Sequence, residues 1–148
     1  MSKKSFDQLA LEADFEGLPR GKYREPADTW SAELVRPLEV QVVMVSAKDT
    51  KEKFLARLLW SRYPDNPPSV LFLDPKTGAS NVAQAWPTGG PFRPPTGLCI
   101  NFTAEGFALH PEWTRDPLRR WLSQGNVLLR VIRQLQERLD LDYAGRQT

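Results

Sequence analysis

The chain has 148 residues, of which 41% are hydrophobic and 26% charged, and its formal net charge is +2. This length and composition predict one domain over residues 1–148. The basic residues form no dense block, which gives no case for nucleic-acid binding. No apolar run could cross a membrane, and acidic residues from Asp7 to Glu16 interrupt any signal-peptide pattern. The single cysteine, Cys99, fits a reducing compartment, so we expect a cytoplasmic protein.

The N-terminal segment predicts a helix. Ser5 and Gln8 have the spacing of a capping box, in which each side chain bonds the other residue's backbone N–H. Apolar residues follow at helical intervals, and the Gly17-Leu18-Pro19 sequence is typical of a helix end. We therefore expect a first helix that begins after Ser5 and ends before Pro19.

Strand-like patterns occupy the next part of the chain. Alternating or short apolar runs lie at residues 38–46, 54–60 and 69–73. The polar segment 47–51 supplies a turn between the first two runs. This order favours an antiparallel meander.

Proline dominates the middle of the chain, and a helical pattern follows it. Most of the 13 prolines fall between residues 64 and 117, and this density predicts an ordered loop rather than a helix there. From Asn126 onward, apolar residues recur at helical intervals and predict a C-terminal helix over 127–139 with one buried stripe. We expect residues 143–148 to form a flexible tail.

Two short motifs connect this element order with a known family. Residues 63–68 read Tyr-Pro-Asp-Asn-Pro-Pro, residues 97–100 read Gly-Leu-Cys-Ile, and Trp113 precedes the final helix. Together they resemble the E2 ubiquitin-conjugating enzymes, which carry Tyr-Pro-x-x-Pro-Pro and Gly-x-Cys in this order. The resemblance implies an α/β fold of the α+β, UBC-like type. Its parts are an N-terminal helix, a four-stranded antiparallel meander and a C-terminal helix packed on the sheet, with reduced C-terminal helices beyond it.

The resemblance also implies a reaction. Cys99 would accept the C-terminal acyl group of a ubiquitin-like protein from an E1-like adenylating enzyme, hold it as a thioester and pass it to an amine of a protein target. A cysteine thiol suits this task because it is strongly nucleophilic and exchanges with another thioester nearly isoenergetically. No cofactor is implied, since the E1-like partner would use the ATP. One histidine and one cysteine are too few soft ligands for a zinc site.

The chain departs from the common E2 pattern near the cysteine, because no His-Pro-Asn precedes it and the loop before it is longer than usual. An amide or backbone N–H aimed at the thioester oxygen would lower the barrier. Asn101, two residues past Cys99, would point to the same side of an extended segment. We therefore name Asn101 and His110 as candidate oxyanion or amine-positioning residues, with Asn81 behind them.

Further departures concern the partners. Asp65 stands where many E2 enzymes present an aromatic residue to RING-type ligases, and Arg115 lies where Ser-Pro-Ala often follows the tryptophan. With Asn66, Lys3 and Lys4, these residues are candidate partner contacts. The traits look like the divergent bacterial E2 proteins encoded beside an E1-like enzyme, a ubiquitin-like protein and a deconjugating peptidase, an arrangement associated with defence against phage.

Plainer interpretations stand beside these. A lone Cys99 is often a small buried hydrophobe, His110 is an ordinary loop residue, and the two asparagines could satisfy turn backbone groups. Trp113 and Trp121 are expected to be packing anchors rather than contact residues.

Two rival functions also remain open. One is an inactive E2 variant that binds a ubiquitin-like protein without chemistry, although such variants typically lack the cysteine. The other is a cysteine hydrolase, which needs His110 within hydrogen-bond reach of Cys99.

Overall fold

The computed structural model describes residues 3–19 and 30–148. In this part of the chain, the helices are α1 (Phe6–Glu16), α2 (Ala104–Leu109) and α3 (Val127–Asp142). The strands are β1 (Trp30–Arg36), β2 (Glu39–Ser46), β3 (Asp49–Leu59), β4 (Ser69–Leu73), β5 (Phe92–Arg93) and β6 (Gly97–Leu98). Short 3-10 helices cover Ala83–Ala85 and Pro111–Arg115. No helix within the described residues has the length and apolarity needed to cross a bilayer.

The capping box predicted for α1 is confirmed. The Ser5 Oγ accepts a hydrogen bond from the Gln8 N–H at 3.1 Å, and the Gln8 Oε1 accepts one from the Ser5 N–H at 2.8 Å. The helix ends at Gly17, whose N–H donates to the Ala13 carbonyl. Side-chain hydrogen bonds therefore set the start of α1, and a backbone hydrogen bond at Gly17 closes its end.

The main sheet is an antiparallel meander of four strands in the order β1-β2-β3-β4, the number that the family resemblance implies. Alternation places every second side chain on the face that α3 covers. The buried residues of this face are Val40, Val42 and Met44 of β2, Phe54, Ala56 and Leu58 of β3, and Val70 and Phe72 of β4.

Two strands differ from the sequence prediction. β1 corresponds to none of the three predicted runs, although the first residues of this strand alternate in burial, with Trp30 buried and Ser31 exposed. β3 begins at Asp49 rather than near residue 54, because Asp49 pairs with Ser46 across a two-residue turn. Backbone pairing with a neighbouring strand does not require apolar side chains, so the apolar pattern underestimates the length of β3.

The amphipathic pattern predicted for the C-terminal helix is confirmed by α3. All of its predicted apolar positions are fully buried, namely Val127, Leu128, Val131, Ile132, Leu135 and Leu139. The Gln136 Nε2 donates to the Val45 carbonyl at 2.8 Å, which ties α3 to β2. This end of the chain therefore packs on the sheet through one continuous stripe.

The proline-rich stretch contains more secondary structure than predicted. It holds the β5–β6 hairpin and the helix α2, whereas we expected a loop without helix. α2 has only six residues and begins at the cap residue Thr103, whose side chain accepts from the Gly106 N–H. So short a helix leaves little periodic signal between prolines.

Residues 143–148, for which we predict a flexible tail, contact the rest of the domain in this structure. Tyr143 is buried, the Ala144 N–H donates to the Thr88 carbonyl at 2.8 Å, and the Gln147 N–H donates to the Trp86 carbonyl at 2.9 Å. The Arg146 guanidinium bonds the Glu52 carboxylate through two nitrogens and lies over the Phe54 ring. The backbone N–H groups of Ala144 and Gln147 therefore have acceptors on the loop after β4.

Candidate functional site

Cys99 lies at the end of a short rigid hairpin. β5 pairs with β6 through Phe92 opposite Leu98 and Arg93 opposite Gly97, and Cys99 follows directly. The Cys99 N–H donates to the Pro91 carbonyl at 2.9 Å, which extends the pairing by one residue. The residue as a whole is partly exposed rather than buried. The interpretation of Cys99 as a small buried hydrophobe therefore does not fit this position.

Aromatic packing fastens this hairpin to the core. Phe92 and Leu98 are buried, and the Phe92 ring lies 5.9 Å from the Phe72 ring in an edge-to-face arrangement. Phe72 in turn meets the Trp86 ring at 5.4 Å. The hairpin that precedes Cys99 is therefore packed against buried aromatic rings and is not a free loop.

Glu105 joins α2 to β4 beside the hairpin. Its carboxylate accepts from the Ser69 Oγ at 2.6 Å and from the Val70 N–H at 2.9 Å. A Cβ built on Gly97 would lie 2.7 Å from the Glu105 Cγ, so only glycine lets the strand β6 approach this closely. The glycine of the Gly-x-Cys motif is therefore needed for close packing of β6 against Glu105.

An open groove runs from Cys99 along α2. Its volume is about 480 Å³, and its lining residues are Arg93, Thr96, Gly97, Leu98, Cys99, Glu105, Ala108 and Leu109. Leu109 at the far side is 65% exposed. An open groove with apolar side chains in its lining and a cysteine among its residues has the form that can receive an extended peptide segment.

The two candidate asparagines, Asn101 and Asn81, are not among the residues that line the groove. The Asn101 Nδ2 donates to the Arg119 carbonyl at 3.3 Å, which ties the segment after Cys99 to the loop before α3. Asn81 is exposed in the loop after β4. Neither residue lines the groove beside Cys99 in the part of the chain described here.

His110 is engaged with its own neighbours. Its Nδ1 lies 3.0 Å from the Glu112 Oε1, and its ring stacks on Trp113 with 4.3 Å between the centroids. The pKa of Glu112 is lowered, first by its own backbone N–H and then by the hydrogen bond with His110. Within the described residues, no hydrogen bond joins the His110 ring to the Cys99 thiol. The geometry therefore does not assemble the dyad that a cysteine hydrolase needs.

The candidate partner residues lie on three separate elements. Lys3 and Lys4 are exposed before α1, and the Lys4 Nζ pairs with the Glu12 carboxylate at 2.8 Å. Asp65 and Asn66 are exposed in the turn after β3, where the Asp65 carboxylate lies 3.6 Å from Arg62 and the Asn66 Nδ2 donates to the Ser61 Oγ at 3.3 Å. Arg115 is exposed in the 3-10 helix after α2.

The two tryptophans make the contacts expected of packing anchors. Trp113 stacks on His110 and meets the Phe107 ring edge-to-face at 5.9 Å. The Trp121 Nε1 donates to the Pro64 carbonyl at 2.9 Å, and the Arg130 guanidinium lies over its ring. They hold the loop between α2 and α3 against the rest of the domain.

Sequence reasoning missed Thr103, Glu105 and Gly106, which fix the segment around Cys99. A signal for them existed, because a threonine with an acidic residue two positions later is typical of a helix start. The proline density concealed it.

Among the described residues, no cluster of three or more metal-ligating side chains is present. Comparison with protein-family models, with curated proteins and with solved structures finds no significant match.

Proposed function

We propose that this chain is an E2-like carrier with a UBC-like fold. In this proposal, Cys99 accepts a ubiquitin-like protein from an E1-like enzyme and delivers it to an amine of a target. The observation that carries the proposal is a partly exposed cysteine that follows a packed hairpin and lines an open groove of about 480 Å³. The order of α1, the four-stranded meander, the hairpin, Cys99 and α3 supports it, since E2 enzymes have the same order.

The chemistry needs two displacements at one carbonyl carbon. In the first, the Cys99 thiolate attacks the thioester on the E1-like enzyme, a new C–S bond forms, and the cysteine thiolate of that enzyme leaves. In the second, an amine of the target attacks, the Cys99 thiolate leaves, and the amine nitrogen loses a proton to give an amide. The first step exchanges one thioester for another, so it is nearly thermoneutral and demands orientation more than acid or base catalysis.

The groove explains how orientation could be achieved. An acyl donor on a protein tail must reach Cys99 in extended form, and the apolar wall at Ala108 and Leu109 offers surface to such a tail. The Asn101 amide has two N–H donors, and the Arg119 carbonyl takes one of them at 3.3 Å. Its proposed role in the second displacement uses the other.

The test is a charging reaction with a cognate activating enzyme, ATP and the ubiquitin-like protein. The wild type should form an adduct that reductant removes, and Cys99→Ala should form none. Cys99→Ser should form an oxygen ester that survives reductant, which identifies the acylated atom. Asn101→Ala and the matched variant Asn81→Ala should then be compared in discharge to free lysine, where we expect only Asn101→Ala to slow the reaction.

Two results would overturn the proposal. One is an unchanged adduct on Cys99→Ala. The other is a charged activating enzyme that transfers nothing to the wild type while the chain still binds the ubiquitin-like protein, which is the behaviour of an inactive binding module. The bacterial phage-defence setting and the deconjugating peptidase remain predictions that follow from the resemblance alone.

A further inference from the structure

The hydroxyl of Thr103 reaches the backbone on both sides of Cys99. Thr103 is fully buried, and its Oγ1 lies 2.8 Å from the Leu98 carbonyl oxygen and 3.2 Å from the Ile100 carbonyl oxygen. Leu98 and Ile100 are the two neighbours of Cys99 in the chain. A hydroxyl carries one proton, so the two carbonyls share a single donor. One side chain thereby bonds the peptide unit that joins Leu98 to Cys99 and the unit that joins Ile100 to Asn101.

The same oxygen connects Cys99 to α2. The Thr103 Oγ1 accepts the Gly106 N–H at 2.9 Å, and the Thr103 N–H donates to the Ile100 carbonyl at 3.3 Å. A Cβ on Gly106 would overlap the Ile100 carbonyl oxygen, so the first turn of α2 lies directly against the segment that follows Cys99. Thr103 is therefore both the cap of α2 and the link between α2 and the cysteine segment.

Together with the bond from the Cys99 N–H to the Pro91 carbonyl, these contacts restrain the backbone of residues 98–100 through three of its polar groups. With the backbone fixed, the Cys99 Cα–Cβ bond can point in only one direction. Acyl transfer depends on this direction, because a displacement of about 1 Å in a reacting atom can cost about 100-fold in rate.

We propose that Thr103 is the positioning residue of Cys99, acting through its hydroxyl on the Leu98 and Ile100 carbonyls. The inference deepens the proposed carrier function and rests on it for its effect on acyl transfer. Its effect on the thiol can be measured without any partner, because Cys99 is the only cysteine in the chain. A maleimide therefore reports on this site alone in the otherwise unaltered protein.

The experiment compares Thr103→Val, which has nearly the same shape but no hydroxyl, with Thr103→Ser, which keeps the hydroxyl. In Thr103→Val we expect N-ethylmaleimide to alkylate Cys99 at least fivefold faster, because the loosened segment exposes the sulfur. We expect kcat for charging by the E1-like enzyme to fall at least tenfold, with KM changed by less than threefold. Thr103→Ser should restore both rates to within about twofold of the wild type.

Tyr63→Phe provides the control for general stability, because it removes a buried hydroxyl from the junction of α1 and α3. It should lower the melting temperature without changing the alkylation rate of Cys99. If the valine variant does not accumulate, Thr103→Ala removes the same hydroxyl with a smaller volume. Amide exchange in the wild type adds a measurement that needs no variant, since the Cys99 and Gly106 N–H groups should be protected at least 100-fold.

The inference is overturned if Thr103→Val is alkylated and charged at the wild-type rates, or if Thr103→Ser behaves like Thr103→Val. It is also overturned if Tyr63→Phe shows the same change in alkylation rate, or if the Cys99 amide exchanges at the unprotected rate. A different pattern separates it from the carrier function. Suppose that neither the wild type nor any variant is charged, while Thr103→Val is still alkylated faster than Thr103→Ser. The positioning of Cys99 by Thr103 then stands, and the proposed carrier function fails.

Discussion

Replacement of Tyr63 by phenylalanine should destabilise the fold strongly, although it removes one oxygen atom. Tyr63 is 1% exposed, and its hydroxyl lies between two helices. It donates a hydrogen bond to the Asp14 carboxylate of α1 and accepts the Leu128 N–H of α3 at 3.0 Å. The phenol thus joins the two helices at the point where the chain leaves β3.

The magnitude follows from the two partners. A hydrogen bond to a charged group contributes about 1.5–3 kcal/mol, and a buried N–H left without an acceptor costs about 1–3 kcal/mol. We expect Tyr63→Phe to lower the free energy of unfolding by about 3 kcal/mol. For a domain of this size, that corresponds to a fall of about 10 °C in melting temperature.

The same variant should change the response to alkali. Burial, and then the hydrogen bond to Asp14, raise the pKa of Tyr63 far above that of a free tyrosine. In the unfolded chain the phenol loses its proton near pH 10, whereas the folded protein keeps it. Its contribution to stability is therefore complete below about pH 10 and is lost as the pH rises above it, at about 1.4 kcal/mol per pH unit. Phenylalanine removes this slope.

The assay is urea unfolding followed by tryptophan fluorescence at pH 7 and at several values between pH 9 and 11.5. Tyr143→Phe is the matched control, because within residues 3–19 and 30–148 the Tyr143 hydroxyl forms no hydrogen bond. At pH 7 it should change stability by less than about 0.5 kcal/mol. The reasoning is refuted if Tyr63→Phe is as stable as Tyr143→Phe at pH 7, or if it keeps the full alkaline slope of the wild type.

Three further changes test other parts of the structure. Gly106→Ala should lower the melting temperature and speed maleimide alkylation of the cysteine, since its Cβ would overlap the Ile100 carbonyl; an unchanged rate would contradict this close approach. Arg146→Ala should lower the free energy of unfolding by about 1 kcal/mol, a small loss because the ion pair with Glu52 is partly exposed. It should also release the chain end, so that the C-terminal amides exchange faster and carboxypeptidase trims the chain. Ser5→Ala should cost about 1 kcal/mol by removing the cap of α1, and equal helicity and stability by circular dichroism would argue against the capping box.

Sequence patterns predicted most of the scaffold because their signals are local. The capping box of Ser5 and Gln8, the apolar stripe of α3 and the alternation in β2 each depend on residues a few positions apart. β1 and α2 were missed for the opposite reason. β1 is completed by its pairing with β2, and α2 is held by Thr103 between the hairpin and β4.

For the candidate site, the sequence alone singled out the candidate reactive atom, since the chain contains one thiol and it lies two residues after Gly97 in the Gly-x-Cys motif. Only the tertiary structure decided what surrounds that thiol. It turned Asn101 toward Arg119, paired His110 with Glu112, and brought the buried Thr103 hydroxyl to the carbonyls beside Cys99. The physical reason is that hydrogen-bond partners across a fold are selected by distance and direction in space, which residue spacing along the chain does not specify.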